Sequence, residues 1–172
     1  IGYIKNTIAQ VACNFTTNRM LTDYCNQYYD PQSKRYEELV ADDAKVAREI
    51  AAWKQLVMAE WNNIRIESFT QPNASYVLSP NNKLNVEVVL DLARLKPEDI
   101  GVEMVFTSSD AKGELHIQNI YELEMVNFEN GKATYQSEVL PERTGMYQVG
   151  IRFFPKNPRL PHRQDLPLVK WL

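Results

Sequence analysis

Residues 33–62 read SKRYEELVADDAKVAREIAAWKQLVMAEWN and decide the fold. The sequence before them has the apolar spacing of helices, whereas the sequence after them alternates between apolar and polar residues, as strands do. Their apolar side chains recur at steps of three, four and seven, which predicts an amphipathic helix with one side on a core. These side chains are Tyr36, Leu39, Val40, Ala44, Ala47, Ile50, Ala51, Val57 and Trp61. Unbroken, the helix would be about 45 Å long at about 1.5 Å per residue. A break near Ala41–Asp43, with Asp43 capping a second helix, is an equal alternative.

Two shorter helices are predicted upstream. Residues 1–13 and 18–29 both carry apolar side chains at helical spacing, and Asn14–Thr17 separates them with two hydroxyls that can cap the second helix. Asp30–Pro31 is predicted to end that helix, since the residue before a proline avoids helical dihedral angles. Two such helices cannot bury their apolar sides alone. We therefore expect them to need a further surface, which can lie outside this chain.

From residue 64 onward the hydrophobic period is two, which is typical of strands. Leu84–Leu92 alternates with its leucines and valines inward, and Glu129–Lys132 contains the Asn-Gly pair of a tight hairpin. Turns are predicted at Gln71–Asn73 and Lys96–Asp99, and a terminal strand at Leu168–Leu172. Several strands without intervening helices favour an antiparallel sandwich.

The predicted fold class is therefore α+β, with N-terminal helices followed by an antiparallel immunoglobulin-like β-sandwich. The text of Thr144–Val149 resembles the tyrosine corner of immunoglobulin-like folds, although the chain lacks their Cys–Trp–Cys pattern. The predicted domains are residues 1–63, a helical segment, and residues 64–172, a β-sandwich.

Composition limits the classes of partner. A net charge of −3 gives no electrostatic case for nucleic acid, and no basic run suggests a membrane surface. No apolar run approaches the roughly 18 residues that a membrane span needs. Cys13 and Cys25 are too few for a disulfide framework, so we expect buried reduced thiols and a reducing, cytoplasmic compartment.

The sequence shows no pattern of residues that predicts a catalytic, cofactor-binding or metal-binding site. His116 and His162 do not stand in metal-ligand spacing with each other or with a cysteine. Residues 162–165, His-Arg-Gln-Asp, could clasp an anion or another domain, and a structural clasp is the favoured interpretation.

Aromatic side chains give one binding hypothesis, because a sugar ring stacks on a flat apolar face. Trp53 and Trp171 are the predicted glucan contacts, and Trp53 is expected to be the best exposed. Trp61, Tyr76, Tyr121 and Tyr135 offer further flat faces, although core packing explains most such residues in a domain of this size.

Four stretches resemble the C-terminal part of the bacterial alpha-glucan (glycogen and maltodextrin) phosphorylases. Asn14–Tyr24 (NFTTNRMLTDY) resembles a C-terminal helix motif of that family, and Tyr28–Pro31 (YYDP) with Ala47–Lys54 (AREIAAWK) looks like its bacterial branch. Leu160–Leu172 (LPHRQDLPLVKWL) is similar to the end of the longer bacterial enzymes.

The resemblance implies a parent glycosyltransferase that uses pyridoxal phosphate and phosphate to release glucose 1-phosphate from α-1,4-glucan ends. The family's cofactor lysine and phosphate-binding residues would lie upstream of Ile1, and Lys5, Lys34 and Lys54 stand in the wrong context. The chain is then expected to comprise the terminal helices of the catalytic domain, residues 1–63, and an accessory sandwich, residues 64–172. It is expected to be structural and inactive alone, with the upstream catalytic domain as its partner. Two alternatives stay open: a carbohydrate-binding module that tethers the enzyme to glucan, and an interaction domain that supports a homodimer.

Overall fold

The computed structural model describes residues 2–12, 14–70, 76–78, 83–139 and 145–172. Their packing divides the chain into two compact units, Ile1–Ala52 and Trp53–Leu172. The predicted turn at Gln71–Asn73, together with Cys13 and Thr144, falls outside the described residues. No helix in the described ranges is long and apolar enough to cross a membrane.

The helices lie where the apolar spacing predicts them. Helix α1 is Gly2–Thr7, continued by a π-helical turn at Ile8–Ala12. Helix α2 is Thr17–Tyr24, continued by a π-helical turn at Cys25–Tyr29. Helix α3 is Asp30–Glu60, followed by a 3-10 turn at Trp61–Asn63. The Thr16 hydroxyl accepts a hydrogen bond from the Arg19 amide at 3.2 Å and so caps α2.

The predicted helix end at Asp30–Pro31 is wrong. Asp30 has helical dihedral angles (φ −66°, ψ −45°), and α3 begins there without a gap. Pro31 therefore lies directly after the point where the π-helical turn passes into α3, and its ring does not end the helix.

The predicted break in α3 is present. Ala41–Ala44 leave helical geometry, and Asp42, Asp43 and Ala44 have φ of 50°, 57° and 56°. Asp43 therefore lies inside the break and is not the extended N-cap residue that the sequence predicts. Its carboxylate instead pairs with the guanidinium of Arg48 at 2.8 Å, on the exposed side.

Eight strands follow in the described part of the chain, and all their pairings are antiparallel. They are β1 Arg65–Phe69, β2 Tyr76–Leu78, β3 Leu84–Asp91, β4 Ile100–Ser109, β5 Leu115–Glu129, β6 Lys132–Val139, β7 Gly145–Pro155 and β8 Lys170–Trp171. The strand order is β1-β3-β6-β5-β4-β7-β2, and β8 also pairs with β7.

The long strand β5 connects the two halves of this sheet. Its first half pairs with β4 and its second half with β6, with a register shift in each ladder. The strands thus form one continuous, curled antiparallel sheet, and an immunoglobulin-like sandwich of two separate sheets is not confirmed. The α+β class with N-terminal helices is confirmed.

Several local predictions are confirmed. Asn130 and Gly131 have φ of 53° and 80° and close the β5–β6 hairpin, with Glu129 paired to Lys132. Residues 97–99 form a 3-10 turn, and the terminal strand is β8.

The core lies between the inner face of the sheet and the end of α3. Val57, Trp61 and Ile64 pack there, with the Trp61 and Phe153 ring centroids 5.3 Å apart. The inner face supplies the predicted alternating residues of β3, which are Val86, Val88 and Leu90 with Leu92 directly after the strand. This packing places the opposite, outer face of the sheet toward solvent and toward the C-terminal segment.

Candidate functional site

Trp53, the first predicted glucan contact, is half-buried and held in place. Its indole Nε1 donates to Oδ1 of Asp99 at 2.7 Å, and its ring packs against the core. The second oxygen of Asp99 accepts the backbone N–H of Lys96 at 2.9 Å. Trp53 therefore anchors the end of α3 to the turn before β4 and offers less free surface than the sequence predicts.

Trp171, the second predicted contact, keeps 53% of its surface exposed. It lies on β8 opposite Arg152 of β7, with the guanidinium carbon 5.1 Å from its ring centroid. A Cβ at Gly150 would come within 3.0 Å of the ring, so the absence of a side chain at this glycine leaves room for the indole. Trp171 is thus a positioned, half-exposed aromatic face.

The other candidate aromatics divide between the core and the surface. Trp61 and Tyr135 are buried, Tyr121 is half-buried, and the side chain of Tyr76 lies outside the described residues. The Tyr135 hydroxyl donates to the Pro97 carbonyl at 3.1 Å, and burial raises the pKa of this phenol. These positions supply no line of exposed rings beside Trp171.

A buried carboxylate and two arginines join the C-terminal segment to the outer face of the sheet. The Glu103 side chain is only 3% exposed, and its carboxylate accepts from the guanidinium of Arg152. Arg163 donates to both Glu103 oxygens, at 2.9 and 3.0 Å, while its guanidinium lies 3.8 Å from the Phe154 ring centroid.

This cluster explains the predicted polar clasp at residues 162–165. The structural interpretation is confirmed, because Arg163 binds a carboxylate of its own domain. Sequence reasoning missed Glu103, which occurs in a run of buried β4 residues. A charged residue between Val102 and Met104 is the signal that could have found it.

A polar groove of about 600 Å³ lies on the outer face of β3, β6 and the second half of β5. Its lining is dominated by carboxylate, amide and hydroxyl groups, from Thr70, Asn85, Glu87, Glu122, Glu124, Gln136, Ser137 and Glu138. These strands hold the side chains in fixed rows, because Gln136 is the register partner of both Glu87 and Glu124. The sequence-based search did not predict this groove.

A smaller cluster lies at the β4–β5 loop. Asp110, Glu114 and His116 are exposed and place one ligand atom each within 4.8 Å of one another, as a divalent cation requires. Asp110 also accepts the Lys112 and Glu114 backbone amides at 2.8 and 2.9 Å. Hydrogen bonds lower the pKa of the Asp110 carboxyl; the bond from the Glu114 amide has the largest effect and the bond from His116 the next largest. Closure of the loop accounts for these contacts, and His116 is a surface residue with a partner, as predicted.

Cys25 is free and half-buried, which is less burial than the sequence predicts, and Cys13 falls outside the described residues.

Comparison with known proteins gives a consistent picture. A family profile described as "Glycogen phosphorylase C-terminal domain" matches residues 61–172. The chain is 28% identical over 177 residues to the maltodextrin phosphorylase of Thermococcus litoralis, covering 99% of this chain and 20% of that protein. It is 23% identical over 174 residues to the glycogen phosphorylase of Mycobacterium tuberculosis, covering 98% of this chain and 20% of that protein. No solved structure gives a significant match. The chain thus spans about a fifth of the length of these relatives.

Proposed function

Because the chain belongs to the glycogen phosphorylase C-terminal domain family, we propose that it is the structural C-terminal part of an α-glucan phosphorylase. The parent enzyme would release glucose 1-phosphate from α-1,4-glucan ends with phosphate as the acceptor. In this proposal the present residues carry no catalytic group, and they brace the catalytic part of the same protein. The proposed domains are residues 1–63 and 64–172, and the immunoglobulin-like relationship of the second stays a hypothesis.

One observation carries the bracing function. Not one residue of 2–12 or 14–52 is buried, although both ranges are rich in apolar side chains. Large apolar residues exposed there include Tyr3 at 92%, Phe15 at 76%, Ile4 at 65% and Leu21 at 51%. A soluble protein seldom exposes apolar surface on this scale, so these helices are suited to packing on a further surface. The proposed surface is the upstream catalytic domain.

The sheet unit supports the same function in a different way. Its own core is complete, with Val88, Leu90, Val102 and Phe153 all fully buried. It can therefore stay folded while the helices dock, which is what a brace requires.

The three lysines weighed from the sequence, Lys5, Lys34 and Lys54, are poor anchors for the family's cofactor. Pyridoxal phosphate needs a lysine amine for its aldehyde and a phosphate-binding pocket. Lys5 and Lys34 are exposed, and the Nζ of Lys54 already donates to the Asp165 carbonyl at 3.0 Å. We therefore place the cofactor, by proposal, in the upstream part of the parent protein.

The test uses the full-length parent protein. Replacing Ile4 and Leu21 together by serine should lower its phosphorolysis of maltodextrin and its melting temperature, because burial of each such side chain contributes about 1.5–3 kcal/mol. The matched control replaces Asn6 and Asn18, which are exposed and polar on the same helices, by serine. The 172-residue chain should keep its helical circular dichroism with either change. A parent protein with unaltered activity and melting temperature in the Ile4/Leu21 variant would refute the bracing function.

A second candidate function is a glucan tether, and Trp171 is the observation that favours it. Its half-exposed ring is held by Gly150 and Arg152 in a position where a sugar could stack. Native electrophoresis of the 172-residue chain in gels with and without glycogen tests this function. Retardation that disappears in Trp171→Ala and persists in Trp53→Phe would support it, and equal mobility with and without glycogen would reject it.

The free thiol of Cys25 supports a reducing, cytoplasmic location. A homodimer joined through the sheet unit is a weaker hypothesis, and sedimentation of the chain as a monomer at high concentration would count against it.

A further inference from the structure

Three side chains with metal-ligand atoms converge at the tip of the β4–β5 hairpin. Asp110 directly follows β4, Glu114 directly precedes β5, and His116 is the second residue of β5. Each offers one ligand atom, and the three atoms lie within 4.8 Å of one another. Glu114 and His116 are two residues apart, so their side chains project from the same side of the extended chain.

Closure of the loop accounts for the contacts of Asp110 but does not require the side chains of Glu114 and His116. Oδ1 of Asp110 accepts the Lys112 and Glu114 amides, and the Asp110 amide donates to the Glu114 carbonyl at 3.0 Å. Oδ2 of Asp110 faces the His116 Nε2 at 3.2 Å. The β4–β5 ladder holds this arrangement in place, because His116 is the register partner of Ser108.

The separations fit a small divalent cation. Tetrahedral Zn²⁺ with bonds of about 2.0–2.1 Å places neighbouring ligand atoms about 3.3 Å apart. The distance of 3.2 Å between Asp110 Oδ2 and His116 Nε2 matches this value without movement. The Glu114 carboxylate has at most about 1.5 Å further to move, which rotation of its exposed side chain allows.

The donor set selects the class of metal. One imidazole nitrogen and two carboxylate oxygens form a mixed set, as Zn²⁺ accepts, whereas Mg²⁺ and Ca²⁺ prefer oxygen ligands alone. The imidazole therefore distinguishes this cluster from a group of surface carboxylates, which attracts any cation. Three protein ligands leave a fourth position for water or for a side chain of a partner.

We propose that Asp110, Glu114 and His116 form a zinc site that ties the β4–β5 loop to the start of β5. The proposal goes beyond the proposed function and does not depend on it, because it uses no property of the phosphorylase family. All three ligands are exposed, so zinc exchanges directly with solvent and binds more weakly than at a buried site with four protein ligands.

The experiment titrates the 172-residue chain with ZnCl₂ after both thiols have been blocked with iodoacetamide, because Cys13 and Cys25 could otherwise bind the metal. Calorimetry gives the affinity. The ¹⁵N shifts of the imidazoles identify the ligand, because His116 and His162 are the two histidines of the chain. We expect one saturable site with shifts confined to His116, and about 10 mM MgCl₂ should not displace the zinc.

Two variants and a matched control locate the site. His116→Asn and Glu114→Gln should each weaken zinc binding at least tenfold, since loss of a ligand costs no less than the about 10–100-fold that loss of an outer-shell partner costs. Zinc should raise the melting temperature of the unmodified chain and leave that of His116→Asn unchanged. The control is His162→Asn, because His162 is exposed and its Nδ1 accepts the Gln164 amide at 3.1 Å. Its zinc affinity should equal that of the unmodified chain.

Four results would overturn the proposal: no saturable binding, equal affinity in His116→Asn, zinc-induced shifts at His162 as large as those at His116, or displacement of zinc by MgCl₂. The first would leave the contact between His116 and Asp110 as a hydrogen bond within the loop. The last would show that the carboxylates attract divalent cations without selection by the imidazole.

Discussion

Replacing Glu103 by glutamine should destabilise the sheet unit more than any other single charge change on its outer face. Glu103 is 3% exposed and accepts from two arginines, of which Arg152 is 20% and Arg163 49% exposed. Glutamine keeps the shape and removes the negative charge, which leaves the guanidinium of Arg152 largely buried without a counter-charge. Breaking a buried ion pair in this way costs about 3–5 kcal/mol.

The magnitude is reduced by the geometry of Arg163. Because its side chain is half-exposed, it can turn toward water when its partner is lost, and its contribution is closer to that of a surface pair, about 0–1 kcal/mol. We therefore expect Glu103→Gln to cost about 3 kcal/mol, or about 6–12 °C in melting temperature. Arg152→Met should cost more than Arg163→Met.

Urea unfolding of the 172-residue chain, followed by tryptophan fluorescence, measures this cost. All three tryptophans lie in the unit Trp53–Leu172, so the signal reports on that unit alone. The matched control is Glu122→Gln, because Glu122 is the register partner of Glu103 on β5 and its ion pair with Lys156 is half-exposed. The control should cost less than about 1 kcal/mol. Equal losses in the two variants would refute the reasoning that burial makes the Glu103 cluster strong.

Three further outcomes are expected from the same chain. Trp53→Phe should lose about 1–2 kcal/mol in urea unfolding followed by circular dichroism, because the hydrogen bond to the Asp99 carboxylate is removed; an unchanged midpoint would contradict this. Gly101→Ala should cost about 1–3 kcal/mol in the same assay, since its Cβ would lie 2.5 Å from the Phe154 ring. A stability equal to that of the unmodified chain would contradict this, because it would show that the ring moves freely. Hydrogen bonds from Asn63 and then Arg94 lower the pKa of Glu60 from 4.5, so its stabilising effect is present above that pH and is lost as the pH falls below it. Unfolding of Glu60→Gln should therefore be less pH-dependent below pH 4.5 than that of the unmodified chain, and parallel curves would contradict the assignment.

The sequence predicts secondary structure well here, because the hydrophobic period changes from helical to alternating close to residue 64. The Asn130–Gly131 hairpin follows from local residue chemistry, whereas the break at Ala41–Ala44 is only one of two equal predictions from the sequence. Continuity of the sheet through β5 could not be predicted. It depends on which partner each half of a 15-residue strand finds, and this is a long-range choice that residue alternation does not encode.

The candidate sites were harder to predict for the same reason. The helical position of Trp53 predicts an exposed ring, but its partner Asp99 lies 46 residues away. The polar groove combines side chains from three strands whose neighbours are set by the sheet order, so no contiguous motif marks it. Arg163 stands in a polar run that is visible in the sequence, whereas its partner Glu103 is 60 residues distant.

Hydrogen exchange tests most directly the claim that residues 2–52 pack on the rest of a parent phosphorylase. The amides of α1, α2 and the first part of α3 would be followed in the 172-residue chain and in the full-length protein. If the helices dock on the parent protein, exchange is fast in the chain and strongly slowed in the full-length protein, while the sheet unit is protected in both. Equal exchange of residues 2–52 in the two proteins would contradict it.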